Sequence, residues 1–274
     1  MNSRTFKDLE HAGWTEQAAS YEFITPVTNQ AIEPILASFS ELIGKHLLEV
    51  ASGPGHLAGR AARLGATVDA VDFAKPMVER ARARYADVNF SEGDAENLTY
   101  ADKRFDGVIC AFGLLHLEHP ERAIAEAFRV LKPDGRYTYT VWCPPEQGGD
   151  FFGFLMGAIQ QHGDLNVTLP PAPPFYRFAD PQEADRAMTT AGFSTVQLKT
   201  IPITWRGEQP RDAVDVIYKA TVRTKALLDA QTSAAREAIH AAIISGMDDF
   251  RIADHFEIAL PAVMVSATKP GPDH

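Results

Sequence analysis

The 274-residue chain has little cysteine. Its two cysteines, Cys110 and Cys143, stand far apart and show no metal-ligand spacing. This pattern fits reduced thiols in a cytosolic protein rather than a disulfide framework. No set of His, Cys or carboxylate side chains has the spacing of metal ligands either. We therefore expect that no metal ion takes part in the function.

Long apolar runs are also missing. No stretch approaches the roughly 18 or more apolar residues that a membrane-spanning helix needs. Residues 1–10 contain no apolar stretch, so we expect no secretory signal. The sequence predicts a soluble, cytoplasmic protein with no membrane span.

Positive charge is scarce, with 26 Lys and Arg against 36 Asp and Glu and a net charge of −10. A protein that binds DNA or RNA needs clustered cations to neutralise phosphates, so this balance argues against a nucleic-acid partner. The one dense cationic run spans residues 79–84, and it is expected to be a solvated helix face. Apolar side chains make up 45% of the chain, which is enough for one full core.

The sequence does contain a regular alternation of short apolar runs and segments with helical spacing. Repeats of this length predict an α/β protein with a parallel sheet covered by helices on both faces. A helix covering 32–42 precedes them. They are followed by a Pro- and Phe-rich segment, a capped helix, a strand, two helices and an extended segment bent at Pro261. The predicted strands are 46–51, 67–71, 87–91, 105–111 and 136–142, and the later elements are 144–178, 180–192, 195–205, 210–246 and 255–269.

The turn after the first predicted strand holds the chemistry. Gly53 and Gly55 permit backbone conformations that a Cβ atom forbids, and they let a ligand approach the main chain. A helix that begins near Gly55 directs its amide donors into the same space. Asp72 ends the next strand, where its carboxylate can accept hydrogen bonds from a ribose diol. Residues 53–58 also fit the dinucleotide pattern G-x-G-x-x-A, so a nicotinamide-dependent oxidoreductase is an alternative.

Five segments in order resemble the motifs of class I S-adenosylmethionine-dependent methyltransferases. The resemblance is closest to the branch that includes ubiquinone and menaquinone biosynthesis enzymes, although Ala51 stands where many members have glycine. It implies a Rossmann-like, doubly wound sheet of seven mostly parallel strands, in which the last segment, 258–268, runs antiparallel. The segments are 48–55, 71–77, 93–98, 105–117 and 127–136.

The resemblance implies S-adenosyl-L-methionine as cofactor, with Asp72 on the ribose, Phe73 and Met77 beside the adenine, and Asp94 at the adenine edge. Other interpretations stay open: Asp72 could be a helix cap, Met77 and Phe112 ordinary core residues, and Glu96 a solvated loop acid. The full set of implied cofactor contacts is Tyr21, Glu49, Ala51, Gly53, Gly55, Asp72, Phe73, Met77, Asp94, Ala95, Glu96, Ala111 and Phe112.

Methyl transfer needs a general base only if the acceptor must lose a proton. His116 is the candidate because it follows the fourth strand at the edge of the crevice, although a hydrogen-bonded structural histidine is the alternative. An aromatic cluster suggests a small apolar or aromatic acceptor, unless it only packs beneath its loop. Neither the acceptor nor its O, N or C atom can be read from the sequence. The cluster consists of Phe151, Phe152, Phe154, Phe175 and Tyr176.

The chain is predicted to be a single methyltransferase domain spanning residues 1–274. Its core is expected to be 45–143 and 180–269, with lid or substrate elements at 10–44, 144–178 and 210–250. A member of the family that binds the cofactor without transferring methyl is a further alternative.

Overall fold

A computed structural model of the chain describes residues 4–271. Strands and helices alternate through the first half, as the sequence predicts. The α-helices are α1 (Phe6–Gln17), α2 (Thr25–Thr28), α3 (Ile32–Leu36), α4 (His56–Arg63), α5 (Lys75–Arg84), α6 (Pro120–Val130), α7 (Asp150–His162), α8 (Pro181–Thr190), α9 (Asp212–Ala220), α10 (Arg223–Asp229) and α11 (Ser233–Gly246). The strands are β1 (His46–Val50), β2 (Thr67–Asp72), β3 (Asn89–Glu92), β4 (Phe105–Ala111), β5 (Leu131–Trp142), β6 (Ser194–Ile201), β7 (Thr204–Gly207), β8 (Arg251–Ile252), β9 (His255–Ala259) and β10 (Ala262–Thr268).

The main sheet has seven strands in the order β3-β2-β1-β4-β5-β10-β6. Strands β1 to β5 pair in parallel, whereas β10 runs antiparallel to both of its neighbours. This confirms the predicted doubly wound sheet with an antiparallel last strand. The antiparallel strand is shorter than the predicted segment 258–268, because it begins at Ala262, after Pro261.

A second sheet of three strands, in the order β7-β9-β8, was not predicted. The sequence predicts one strand over 195–205 and one bent segment over 255–269. In the structure each of these divides, and its two parts join different sheets. The divisions fall at Pro202 and Pro261, and proline has no N–H to donate to a continuing ladder.

Two predicted helical segments differ in the structure, and α1 and α7 form where no helix is predicted. The segment 210–246 holds three helices rather than two, since α9 ends at Ala220 and Thr232 caps α11 by accepting from the amide of Ala235. The predicted helix over 32–42 stops at Leu36. The apolar spacing there still describes packing, because Phe39 and Leu42 contact the core from an irregular segment.

Strands β1 and β4 form the buried centre of the main sheet. Leu48 and Val108 on these strands are fully buried, as expected for strands covered by helices on both faces. Their carboxyl ends, together with that of β2, meet at one edge, and β1 is the strand from which the order runs in both directions. Ligands of open α/β sheets bind at this position. Within residues 4–271, no helix is long and apolar enough to cross a membrane.

Candidate active site

The turn after β1 contains three residues with left-handed backbone conformations. Their φ angles are 53° at Ala51, 51° at Gly53 and 80° at Gly55. Gly55 precedes α4, where a Cβ atom would lie 2.5 Å from the ring of Phe90. Gly55 thus lets α4 pack closely on the sheet, and a Cβ atom at Gly53 would lie 3.7 Å from the ring of Tyr21.

Asp72, at the end of β2, is held in place by two backbone amides. Its side chain is buried, and its Oδ2 and Oδ1 atoms accept from the amides of Gly53 at 2.8 Å and Ala74 at 2.9 Å. Burial raises the pKa of Asp72 to about 6, although the two amides oppose this effect. Each carboxylate oxygen can accept a second hydrogen bond, so Asp72 can still bind two hydroxyl groups.

A cavity of about 820 Å³ opens between the turn, Asp72 and the end of β4. The predicted residues that line it are Tyr21, Ala51, Gly53, Asp72, Phe73, Met77, Asp94, Ala95, Ala111, Phe112 and His116. Glu49, Gly55 and Glu96 do not line this first cavity.

Glu49 on β1 is buried beside the first turn of α4 and does not line the first cavity. Its Oε2 atom accepts from the amide of Ala58 at 2.9 Å, in the first turn of α4. Burial raises the pKa of Glu49 to about 8, the Ala58 amide opposes this, and the charge of Asp72 adds to it. Glu49 lines a smaller neighbouring cavity together with Tyr21 and Ala51.

Asp94 and Glu96 have different surroundings. Asp94 lines the first cavity and pairs with Lys7 of α1 at 2.6 Å. The side chain of Glu96 is 4% exposed, and its Oε1 atom accepts from the amide of His119 at 3.0 Å. The solvated-acid interpretation of Glu96 is therefore wrong. The residue holds the loop before α6 in place.

The end of β4 places Phe112 over the cavity. The ring of Phe112 stacks on Trp142 with a centroid distance of 4.1 Å. The backbone N–H of Phe112 donates to Oγ1 of Thr140 at 3.1 Å, and Phe112 has a left-handed backbone conformation with a φ angle of 56°. Trp142 ends β5 and was not predicted as a site residue, because a strand-terminal tryptophan by itself does not indicate a ligand.

His116 has a buried partner that the sequence did not reveal. Its Nδ1 atom lies 2.8 Å from Oε2 of Glu10 on α1. The same Oε2 atom accepts from the indole N–H of Trp14 at 3.0 Å, and the rings of Trp14 and His116 meet edge to face at 4.9 Å. Helix α1 therefore contributes directly to the site.

A second cavity, open to solvent and of about 1560 Å³, adjoins the first. His116, Trp142 and Ala220 line both cavities. The other lining side chains are mostly apolar. They are Phe6, Leu115, Phe152, Met156, Leu165, Val167, Leu169, Ala172, Pro173, Phe175, Tyr176, Val222 and Leu227, and the polar ones are Glu10, Thr221, Arg223 and Thr224.

The predicted aromatic cluster divides between two roles. Phe152, Phe175 and Tyr176 line the second cavity. Phe151 is fully buried against Trp205, with ring centroids 5.1 Å apart, so it belongs to the core. Phe154 packs on Phe250 near α11. Both interpretations of the cluster thus apply, each to different members.

Known proteins share this architecture and these motifs. Residues 48–139 match the methyltransferase domain family. Together with two relatives that are 32% and 34% identical and are covered over 73% and 74% of their length, this match shows that the chain belongs to the class I S-adenosylmethionine-dependent methyltransferases, in the branch related to ubiquinone and menaquinone methyltransferases. Its cofactor is S-adenosylmethionine, and the alternative of a nicotinamide-dependent oxidoreductase is wrong.

Individual relatives agree with this assignment. The demethylmenaquinone methyltransferase of Renibacterium salmoninarum is 32% identical over 57% of this chain and 73% of its own length. The enzyme of the same name from Thermus thermophilus is 34% identical over 55% of this chain and 74% of its own. A phosphoethanolamine N-methyltransferase of Haemonchus contortus, solved with S-adenosyl-L-methionine, shares the fold. Its TM-score is 0.59 at 18% identity, over 98% of this chain and 61% of that one.

Within residues 4–271, no group of three or more His, Cys, Asp or Glu side chains is placed to hold a metal ion. The expectation that no metal takes part stays a prediction.

Proposed function

We propose that this enzyme methylates a small, apolar or aromatic molecule bound in the second cavity, with the cofactor in the first. The observation that carries the proposal is the junction of the two cavities, where His116, Trp142 and Ala220 line both. A methyl donor and an acceptor must meet within bonding reach, and such a junction provides that meeting point. The names of the two relatives, demethylmenaquinone methyltransferases, support an acceptor of the quinone type.

The first cavity fits an adenosine derivative. Asp72 supplies carboxylate acceptors for a ribose diol, and Phe73 and Met77 provide apolar walls for adenine. Asp94 and the backbone of Ala95, which line the same cavity, are proposed to bind the adenine edge. The remaining proposed contacts are the turn residues Ala51, Gly53 and Gly55, with Glu49 behind them, Ala111 and Phe112 at the methionine end, Tyr21 above, and Glu96 through its loop.

When bound, the cofactor supplies a methyl group on a positively charged sulfur that is already electrophilic. The protein's share of the work is to orient the acceptor and to exclude water. Trp142 and Phe112 form a rigid stacked wall at the junction. His116 is proposed as the base for an acceptor that must lose a proton.

The lid segments are proposed to close over these cavities. Residues from 10–44, 144–178 and 210–250 line one or both of them, including Trp14, Phe175 and Ala220. Closure by such elements would shield the transfer from water. The core and lid boundaries given above are part of this proposal.

A radiolabelled-methyl assay tests the proposal directly. The purified enzyme and S-[methyl-³H]adenosylmethionine are incubated with a prenylated 1,4-naphthohydroquinone, a simple phenol, an aromatic amine or phosphoethanolamine. Label should pass to an aromatic acceptor and not to phosphoethanolamine, which is too polar for the apolar walls. Product mass and NMR spectra then identify the methylated atom. Preferred transfer to phosphoethanolamine would contradict the proposal.

A further inference from the structure

Glu10 is a buried carboxylate without a metal or an arginine partner among residues 4–271. It is 1% exposed, and its Oε2 atom is the acceptor for both His116 Nδ1 and Trp14 Nε1. Burying a carboxylate destabilises a protein unless it is hydrogen-bonded, and a well-packed apolar residue at such a position is often as stabilising or more so. Its position beside the cavity junction therefore points to a role beyond packing.

The hydrogen bonds determine which ring nitrogen of His116 carries a proton. An ionised carboxylate can only accept hydrogen bonds, so Nδ1 must be the donor to Glu10. In the neutral ring, Nε2 is then the nitrogen with a free lone pair. No hydrogen-bond partner of Nε2 occurs in the part of the chain that the structure describes, and His116 lines both cavities.

Helix α1 is anchored at both ends, so the position of Glu10 is fixed. Near the start of α1, the Lys7 ammonium lies 2.6 Å from Asp94. At its end, the side-chain amide of Gln17 donates to the carbonyl of Thr221, between α9 and α10. Glu10 therefore reaches His116 from an element tied to both cavities.

Other charged or titratable groups surround His116 at greater distance. Asp72 at the end of β2 lines the first cavity together with His116. Arg223 on α10 and Tyr176 line the second cavity. Within residues 4–271, Glu10 alone of these lies within hydrogen-bond distance of the His116 ring.

We propose that Glu10 is a positioning residue for methyl transfer, which holds His116 with Nδ1 protonated so that Nε2 can take a proton from a hydroxylated acceptor. This inference rests on the proposed function. As the acceptor hydroxyl gives its proton to Nε2, the acceptor oxygen, or a carbon conjugated to it, forms a bond to the methyl carbon. The sulfur–methyl bond breaks, and its electron pair stays on sulfur. The Glu10 carboxylate stabilises the resulting imidazolium, as a carboxylate does in the Ser-His-Asp triad.

The first test uses ¹⁵N NMR of the imidazole nitrogens, which reports the tautomer without any acceptor. In the parent protein at high pH, we expect Nδ1 of His116 to be protonated. In Glu10→Gln, we expect a substantial fraction protonated at Nε2. Glu16→Gln is the matched control, because it makes the same change on an exposed side chain of α1, near Lys225, and should leave the tautomer unchanged. An unchanged tautomer in Glu10→Gln would overturn the proposal.

The second test uses kinetics with the acceptor identified by the labelled-methyl assay. Loss of a general base in His116→Asn should lower kcat about 10²- to 10⁴-fold. Glu10→Gln should lower kcat by part of that factor, about tenfold or more, with little change in acceptor KM. The double variant should be no slower than His116→Asn, because the two residues act as one unit. If the losses of kcat in the two single variants were additive in the double variant, Glu10 would act independently of His116, in a structural role.

The outcomes also separate the two proposals. If His116→Asn is slow while Glu10→Gln is unimpaired, the positioning role fails and the proposed function stands. If no aromatic acceptor is methylated, the proposed function fails, and the NMR experiment still decides whether Glu10 sets the tautomer.

Discussion

The carboxylate of Asp72 accepts a hydrogen bond from the backbone amide of Gly53 at 2.8 Å, which joins the end of β2 to the turn after β1. The acid proposed for the ribose and the turn proposed as a cofactor contact are therefore one connected unit. A second amide, that of Ala74, holds the other oxygen at 2.9 Å. The acceptor atoms are thus oriented before any ligand arrives.

Ligand affinity should depend on pH through Asp72. Burial raises its pKa to about 6, and ribose hydroxyls favour the ionised form because it accepts hydrogen bonds best. Binding should therefore lower this pKa, and affinity should fall by up to about tenfold per pH unit below pH 6. Calorimetric titration of S-adenosylhomocysteine at pH 5, 6 and 7.5 measures this pH dependence of the affinity. Asp72→Asn should bind weakly with a flat profile, and an equally flat profile in the parent would refute the role.

Stability should depend on pH through Glu49. Its folded pKa of about 8 lies above its ordinary value of 4.5 because of burial. Its contribution to stability is fully present below pH 4.5 and is lost as the pH rises to about 8. Relative to Glu49→Gln, which resembles the neutral acid, the ligand-free parent should lose up to a few kcal/mol of unfolding free energy across this window. Urea unfolding at pH 4.5, 6.5 and 8.5 checks this, and parallel curves would contradict it.

Two phenylalanines should affect different ligands. Phe73 lines only the first cavity and Phe175 only the second. Phe73→Ala should weaken S-adenosylhomocysteine binding about tenfold or more, because burying an aromatic ring contributes roughly 1.5–3 kcal/mol. Phe175→Ala should raise the acceptor KM and leave S-adenosylhomocysteine binding unchanged. Calorimetry and initial-rate assays on both variants measure these effects. The reverse pattern would mean that the two cavities have been assigned the wrong way round.

Chelation should have no effect on transfer. No metal-ligand set occurs in the part of the chain that the structure describes. Enzyme dialysed against EDTA should therefore transfer methyl at the untreated rate. Activity that disappears on chelation and returns with Mg²⁺ would require a metal site that includes the ligand itself.

The sequence predicts the first half of the site because that half is local. The turn at 51–55 and Asp72 follow consecutive strands, so strand patterning places them at one sheet edge. Glu10 could not be found this way. It lies 106 residues from His116, and nothing in the helix pattern of α1 distinguishes it from an exposed acid.

The same reasoning explains the errors in the fold. A run of β-forming residues predicts a strand but not its sheet, so the division of 195–205 at Pro202 and the three-stranded sheet were missed. The second cavity brings together Trp142, Ala220 and residues of the segment 165–176, and only tertiary packing places these near each other.

The central claim is that Asp72 binds the ribose of the cofactor. Asp72→Asn tests it with the least change, because asparagine keeps the side-chain size and one acceptor oxygen beside the Gly53 and Ala74 amides, whereas alanine would leave both amides without an acceptor. Calorimetric titration with S-adenosylmethionine and S-adenosylhomocysteine, with thermal melts to confirm folding, should give dissociation constants about ten- to hundredfold higher for both ligands. That factor corresponds to roughly 1.5–3 kcal/mol for a lost charge-assisted hydrogen bond. A folded variant that binds both ligands as tightly as the parent would contradict the claim.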